Sequence, residues 1–359
     1  MKKHAIIPVF IPHIGCGHSC VFCNQNVITA RSKAPSAEDV RNIIEQYLPT
    51  LSGRGLDTIE VAFFGGSFTG IPLEQQNDYL EVAYVYKKQG LIDKIHMSTR
   101  PDYIDRSILE NLSRFSVDTI ELGVQSFDDE VLKICRRGHT ADDVYTACEL
   151  IKSYGIELGI QLMIGLPGDT KEKALRSAAE AAGIGPSLAR LYPTVVLPDT
   201  RLAGMLREGS YTPLSEGEAV DITKEMYKIL MNAHVNIMRV GLKSTDLMTN
   251  ETDLGHGYHP AFRQLVESEI CREQMEQLLE EQLRKKQSLG RAGGNNKDPD
   301  IQITFFSNEK WFSPMIGHKA ANKNYFSEGY PEIEFAYKTD RALADGHLTA
   351  ESKQQIIIE

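Results

Sequence analysis

The chain has 359 residues, 42% hydrophobic and 25% charged, with 49 acidic against 39 basic side chains and a formal net charge of −10. That composition describes a soluble globular chain of about two domain-equivalents, although barrel domains often exceed about 200 residues undivided. No stretch approaches the roughly 20 apolar residues that span a bilayer, and the acidic total speaks against a protein that coats nucleic acid, since nonspecific phosphate affinity comes from Lys and Arg displacing counterions.

The N-terminal residues 1–12 start basic, but their apolar run is short and broken by Pro8 and Pro12. A β-strand feeding the loop that follows explains them better than a signal peptide, and a cytoplasmic location is expected. Strand-like runs follow at 58–64, 94–98, 119–124, 157–164 and 190–197, separated by helical patterns at 37–51, 73–89, 105–113, 140–154 and 172–182. Repeated βα units predict a parallel sheet whose active site lies at the C-terminal ends of its strands. With the N-terminal strand there are six units, which suits a partial (β/α)6 TIM-like barrel. A further helix at 215–233 and a strand-like run at 236–241 complete a core barrel of residues 1–245. The remainder, 246–359, reads as a small α/β C-terminal region. It holds a long helix from 260 to about 286, a loop at 287–299 rich in Gly, Asn and Lys, and strands at 300–306 and 332–337. No solenoid repeat is present.

Between the first strand and the first helix lies Cys16-Gly17-His18-Ser19-Cys20-Val21-Phe22-Cys23. Iron-sulfur clusters are usually held by four thiolates, so a compact loop of three leaves one iron open to an external chelator. Zinc is the competing reading, with His13 or His18 completing a tetrahedral Cys3His site. Cys135, Cys148 and Cys271 show no paired spacing, which fits a reducing compartment and burial as small apolar side chains. Basic residues that could form a local groove are Arg136 and Arg137, Arg190, and Arg284 with Lys285 and Lys286; the last three follow acidic Glu280 and Glu281 and read as a solvated helix face.

Two glycine-rich strand ends follow the cysteines. One is Phe63-Phe64-Gly65-Gly66-Ser67-Phe68-Thr69; the other runs from Gly159 through Gln161, Ile164 and Gly165 to Leu166-Pro167-Gly168. Glycine at such positions lets backbone groups approach a ligand closely. Taken in this order with the Cys-x3-Cys-x2-Cys loop, and with Thr99-Arg100-Pro101-Asp102-Tyr103, Glu121-Leu122-Gly123-Val124-Gln125-Ser126, Arg137-Gly138-His139-Thr140, Leu191-Tyr192-Pro193 and Tyr258-His259-Pro260, the chain resembles radical S-adenosylmethionine (radical SAM) proteins of the Elongator catalytic-subunit type. The resemblance covers residues 1 to about 285, and more weakly Gly317-His318-Lys319. Oxygen-independent coproporphyrinogen oxidases share some of these elements.

The resemblance implies that Cys16, Cys20 and Cys23 ligate a 4Fe-4S cluster with Phe22 packed beside it. It implies that Gly65, Gly66 and Ser67 meet the amino end of SAM, that Gln125 and Arg137 contact SAM, with Arg137 suited to its carboxylate, that Gln161 faces the ribose or adenine, and that Ile164, Gly165 and Leu166 border the adenine. Ser98 departs from the pattern, standing where Elongator-like proteins commonly carry a glutamate. The implied chemistry is reductive cleavage of SAM to a 5'-deoxyadenosyl radical, fed by an external one-electron donor, with tRNA the expected substrate. The chain is too short after Lys285 for the acetyltransferase domain of the Elongator type, so either a separate protein donates the acyl group or the barrel serves other chemistry. A radical SAM enzyme acting on a small molecule or peptide, and a noncatalytic iron-sulfur or zinc protein, are the alternatives. His139, His256, His259, Tyr192 and Tyr258 read as local hydrogen-bonding or packing residues before substrate-side ones.

Overall fold

The computed structural model describes residues 4–12, 15–24, 33–242, 259–290 and 301–354, apart from the side chains of 286–290, 301, 353 and 354. The chain divides into two compact units, Met1–Pro260 and Ala261–Glu359. The domain boundary expected at 245 falls in 243–258, outside the described residues.

The first unit carries one parallel sheet of β1 (His4–Ile11), β2 (Thr58–Gly65), β3 (Lys94–Thr99), β4 (Thr119–Gln125), β5 (Glu157–Ile164), β6 (Leu188–Pro193) and β7 (Asn236–Val240). The strands lie in chain order, each pairing with the next, and the sheet stays open between β1 and β7. This is the progression of a TIM barrel stopped short. The sheet holds the strands of the six expected βα units and, seventh, the strand expected at 236–241. The run at 236–241 joins it because the helix Glu216–Asn232 buries Ile222, Met226, Tyr227 and Leu230 and returns the chain beside β6. The strand read at 190–197 lies two residues earlier and stops at Pro193, opposite Ile164. Pro8 is tolerated because β1 is an edge strand, where a missing N–H breaks no ladder.

Helices on the crossovers begin where the sequence supplies caps. Ala37–Leu51 starts from a capping box of Ser36 and Asp39, Ala141–Ser153 from Thr140 and Asp143, and Glu216–Asn232 from Ser215 and Glu218. In each, the cap side chain accepts from the backbone N–H three residues on and that residue's carboxylate reaches back. Leu73–Lys88, Arg106–Arg114, Asp129–Ile134, Lys171–Ile184 and Arg201–Arg207 complete the helices described here.

The second unit joins the helix Phe262–Gly290 to a three-stranded sheet ordered β10 (Thr349–Gln354), β8 (Ile301–Ser307), β9 (Ile333–Thr339). Two short helices, Phe312–Ile316 and Ala321–Gly329, make the crossover between parallel β8 and β9. Phe305, Trp311, Met315 and Phe326 form its core. The third strand, β10, has no apolar alternation in Thr349-Ala350-Glu351-Ser352 and escaped the pattern reading. Among the described residues no helix is long and apolar enough to cross a membrane.

Candidate active site

Beyond β1 the chain turns over the ends of β2 and β3, and close backbone contact fixes it there. Gly15 has φ +79°, and a Cβ on it would stand 2.1 Å from the Ser67 carbonyl oxygen. Gly70 approaches equally closely, its absent Cβ 2.1 Å from the Gly15 oxygen. The Gly17 N–H donates to the Tyr103 hydroxyl at 2.9 Å, Val21 N–H to the Cys135 carbonyl at 3.1 Å, and Leu202 N–H to the Val21 carbonyl at 2.7 Å. Cys23 N–H closes a turn on the Cys20 carbonyl at 3.2 Å. Cys16, Cys20 and Cys23 are half-buried free thiols, whereas Cys135, Cys148 and Cys271 are fully buried. Burial pushes Cys135 and Cys148 up to about 12 and raises Cys271 as well, so these three remain protonated. Phe22 packs against Val196, Leu202, Ala203 and Tyr211 on one side and Val21, Val131, Cys135 and Leu166 on the other, giving the loop an apolar wall.

Cys16 Sγ lies 3.5 Å from Ser67 Oγ, and Arg137 Nη1 donates to Cys20 Sγ at 3.2 Å. Arg137 is 6% exposed, and its Nη2 donates to the Gly123 carbonyl. Arg100 holds this arrangement from behind, donating through Nε and Nη2 to both Asp102 oxygens at 2.9 Å and through Nη2 to the Arg137 carbonyl. Beside Arg137, Gln125 sits at φ +72° where the β4/β5 register slips, a conformation costly for a residue with a side chain. Two buried polar atoms here have no hydrogen-bond partner, Gln125 Oε1 and Arg137 Nε. Orphaned groups of this kind are uncommon in native interiors, and here they leave one acceptor and one donor for a ligand or a water. Nη1 and Nη2 each make one of these bonds and keep a second N–H, and Nε–H adds a further unpaired donor.

Gly65 (φ +117°) lies so close to β1 that a Cβ would stand 2.6 Å from the Ile11 carbonyl, and Gly66 N–H donates to that carbonyl at 2.7 Å. Ser67 is buried, and so are the Ile164 and Leu166 side chains. Gly165 (φ +76°) has its N–H on Asp169 Oδ2 at 3.2 Å and its carbonyl accepting from the Tyr211 hydroxyl at 2.8 Å, so both of its backbone polar groups are held within the protein.

Gln161 Nε2 donates to Glu121 Oε1 and lies 3.4 Å from Ser98 Oγ. Glu121 is the centre of a buried charged ladder on the inner face of the sheet. Its Oε2 stands 3.0 Å from Arg190 Nε and 3.3 Å from His96 Nε2; His96 Nδ1 is 3.1 Å from Glu60 Oε1, and Glu60 Oε2 is 3.2 Å from His4 Nε2. Gly159 makes room for the carboxylate, since a Cβ there would stand 3.0 Å from Glu121 Cγ. Burial disfavours the charge on Glu121, but Arg190 and His96 outweigh it and hold the group below the usual carboxylate range. Burial likewise opposes His96⁺, yet Glu121 and Glu60 push it up to about 9. Burial opposes ionisation of Glu60 too, and His96 and His4 reverse the sign. Two carboxylates and two cations, His96⁺ and Arg190, thus cancel inside the sheet.

The pattern reading missed Glu60, His96, Arg100 and Asp102 as site-forming residues, and gave Glu121 no role. The available signal was a polar residue at alternate positions of otherwise apolar strands, which in a barrel face the lumen. Of the arginines considered for a basic groove, Arg137 is buried against Cys20 and the Gly123 carbonyl, Arg190 is buried in an ion pair with Glu121, and Arg136 is exposed. Arg284 pairs with Glu280 at 2.8 Å on the long helix. His139 is buried, contacts the Val124 carbonyl at 3.3 Å, and is driven down to about 3 by burial and by Arg137 and Arg100, so it is a neutral local partner. Tyr192 is a hydrogen-bond partner of Arg190 at 3.4 Å. His13, His256 and Tyr258 lie outside the described residues.

Cluster ligation can be weighed against zinc on this geometry. His18 turns toward Gly138 and stands 4.0 Å from Asp102. Among the described residues no three His, Cys, Asp or Glu side chains converge as a single metal ion requires. An iron-sulfur cluster takes each thiolate on a different iron, and three half-buried thiols on one loop, the Arg137 donor at Cys20 and the apolar Phe22 wall are residues suited to hold one.

The family profile of the Radical SAM superfamily matches residues 10–181, and that of the Radical_SAM C-terminal domain matches 186–272. The chain belongs to the radical SAM superfamily. This radical SAM chain is similar to the tRNA uridine(34) acetyltransferase of Methanocaldococcus jannaschii, 25% identical over 61% of the chain and 47% of the relative. It is similar also to the heme chaperone HemW of Bacillus subtilis, 27% identical over 67% of each chain. Its fold is that of the archaeal Methanocaldococcus infernus Elp3 structure, with a TM-score of 0.55 at 23% identity over 69% of this chain and 61% of that one. The chain spans about half the length of the first curated relatives it matches.

Proposed function

We propose that this protein is a radical SAM enzyme that reductively cleaves S-adenosylmethionine and uses the resulting radical to modify tRNA. The observation that carries the proposal is the pair of orphaned polar atoms, Gln125 Oε1 and Arg137 Nε, beside a loop of three half-buried thiols. In this reading Cys16, Cys20 and Cys23 hold a 4Fe-4S cluster, which when bound supplies one electron to the SAM sulfonium and liberates a 5'-deoxyadenosyl radical. Arg137 donates to the Cys20 sulfur and offsets its negative charge. Phe22, with Leu166 and Val196 around it, keeps water from the thiolates. Gly65, Gly66 and Ser67 form the edge nearest Cys16, the side assigned to the amino end of SAM, while Gln125 and Arg137 supply the free acceptor and donor. Gln161, held by Glu121, faces the nucleoside, and Gly165 borders the adenine, flanked by Ile164 and Leu166.

The tRNA assignment rests on similarity to the tRNA uridine(34) acetyltransferases. It calls for an external one-electron donor and a cytoplasmic setting, and either a separate protein supplies an acyl group or the barrel serves different chemistry. A small-molecule substrate is the second reading, favoured by the burial of Arg137 and Arg190, which removes two of the cations expected around an RNA-binding mouth.

Anaerobic reconstitution tests the proposal. Iron near four per chain and reductant-dependent 5'-deoxyadenosine, both lost in Cys20→Ala, are the expected result. Stoichiometric zinc without deoxyadenosine overturns it. Wobble-uridine analysis of tRNA incubated with the active enzyme separates the two substrates.

A further inference from the structure

Beside the cysteine loop, on the crossover between β4 and β5, a cleft of about 470 Å³ is lined by His18, Lys133, Arg136, Gly138 and His139, with Asp129 its acidic member. Lys133 and Arg136 are exposed and have no ion-pair partner among the described residues. The acidic groups nearby are already engaged: Asp129 Oδ1 accepts from Ala141 N–H at 2.8 Å, Glu130 pairs with Lys173 at 2.7 Å, and Asp143 caps Thr140. Ile134, one of the few exposed large apolar side chains, stands next to Lys133 at 38% exposure. An unpaired basic pair beside an exposed isoleucine makes a small apolar centre with a charged rim, the makeup of a transient protein interface.

The cleft also borders the thiol loop through His18. His18 lies between Cys16 and Cys20 in sequence, and its ring sits where a Gly138 Cβ would come within 2.4 Å. Arg137, the residue between Arg136 and Gly138, touches Cys20 Sγ at 3.2 Å. The cleft residues belong to the β4–β5 crossover, on the turn that carries Arg137 to Cys20.

We infer that this cleft is the docking site of an acidic one-electron carrier protein, a flavin or iron-sulfur protein, which Lys133 and Arg136 steer onto the loop at Cys20. The inference rests on the cluster reading above. One electron leaves the reduced carrier, which is oxidised by one equivalent, and reduces the cluster held by the three cysteines by one; no bond forms and no proton moves. Phosphate groups of RNA share the attraction to Lys133 and Arg136, and a parallel titration with tRNA separates the two.

The test pairs binding with reduction. Calorimetric titration of the full chain with oxidised flavodoxin, in low and high salt, is compared with Lys133→Glu/Arg136→Glu and with the milder Lys133→Gln. Expected is an affinity loss of about tenfold or more in the double variant and a smaller loss in the single one, with flattened salt dependence, since rim charges act on encounter rate and screening. Cluster reduction by flavodoxin hydroquinone slows in parallel, while reduction by photoreduced deazaflavin, a small neutral agent, is unchanged. Unaltered flavodoxin affinity in the variants overturns the inference, as does loss of tRNA affinity in place of flavodoxin affinity. A wild-type protein with no cluster reducible by deazaflavin sinks the functional proposal instead, and the flavodoxin titration still reads docking by itself.

Discussion

Arg137 Nη1 lies 3.2 Å from Cys20 Sγ, which joins the turn after Asp129–Ile134 to the thiol loop more than a hundred residues earlier. Hydrogen bonds and positive charge at a ligating sulfur raise a cluster's reduction potential. Arg137→Met is therefore expected to retain the cluster but shift its potential to more negative values. A redox titration followed by electron paramagnetic resonance checks this, and an unchanged potential would remove Arg137 from the cluster's surroundings.

The Glu121 carboxylate offsets two cations, Arg190 and His96⁺, in the sheet interior. Removing one partner of a buried ion pair costs about 3–5 kcal/mol because the other charge stays buried and uncompensated. Glu121→Ala is expected to lower stability by about that amount in denaturant titration. Ser98 pairs in register with Glu121, so Ser98→Glu places a second carboxylate beside the first and is expected to destabilise as well. That crowding gives a physical reason why serine is accommodated at this position.

Stability should depend on pH through two histidines of opposite sign. His96 holds its proton to about 9 in the folded chain but to 6.5 when unfolded, so its contribution is complete below 6.5 and is lost as pH rises through about 9. His139 stays neutral down to about 3 while its unfolded counterpart takes a proton near 6.5, so its contribution is lost as pH falls from 6.5 toward 3. Together they place a stability maximum near pH 6.5. Melting temperatures across pH 4–10 should show it, and His96→Gln should flatten the alkaline limb alone.

Gly15 must remain glycine. A side chain there meets the Ser67 carbonyl at 2.1 Å with the backbone already at φ +79°, and both atoms are main chain, so neither can swing aside. Gly15→Ala should reduce iron uptake severalfold while the far-ultraviolet circular dichroism of the sheet is retained. Gly155→Ala has open space around it and serves as the control, since it adds backbone strain without touching the loop.

Local chemistry made much of this protein legible in its amino-acid order. Period-2 apolar runs at Thr58–Gly65, Lys94–Thr99 and Glu157–Ile164, with Ser36, Thr140 and Ser215 as helix caps, determine a parallel α/β sheet because pleat and capping are nearest-neighbour effects. Thiol spacing within eight residues singled out the candidate ligands by the same local logic. Tertiary structure alone decided the rest. It brought Arg137 to Cys20, moved Arg190 from a surface groove to a buried pair with Glu121, and set Glu60 beside His96. Those partners lie from tens to more than a hundred residues apart, and which of two charges meets in a lumen depends on strand register and sheet curvature, quantities that no local pattern carries.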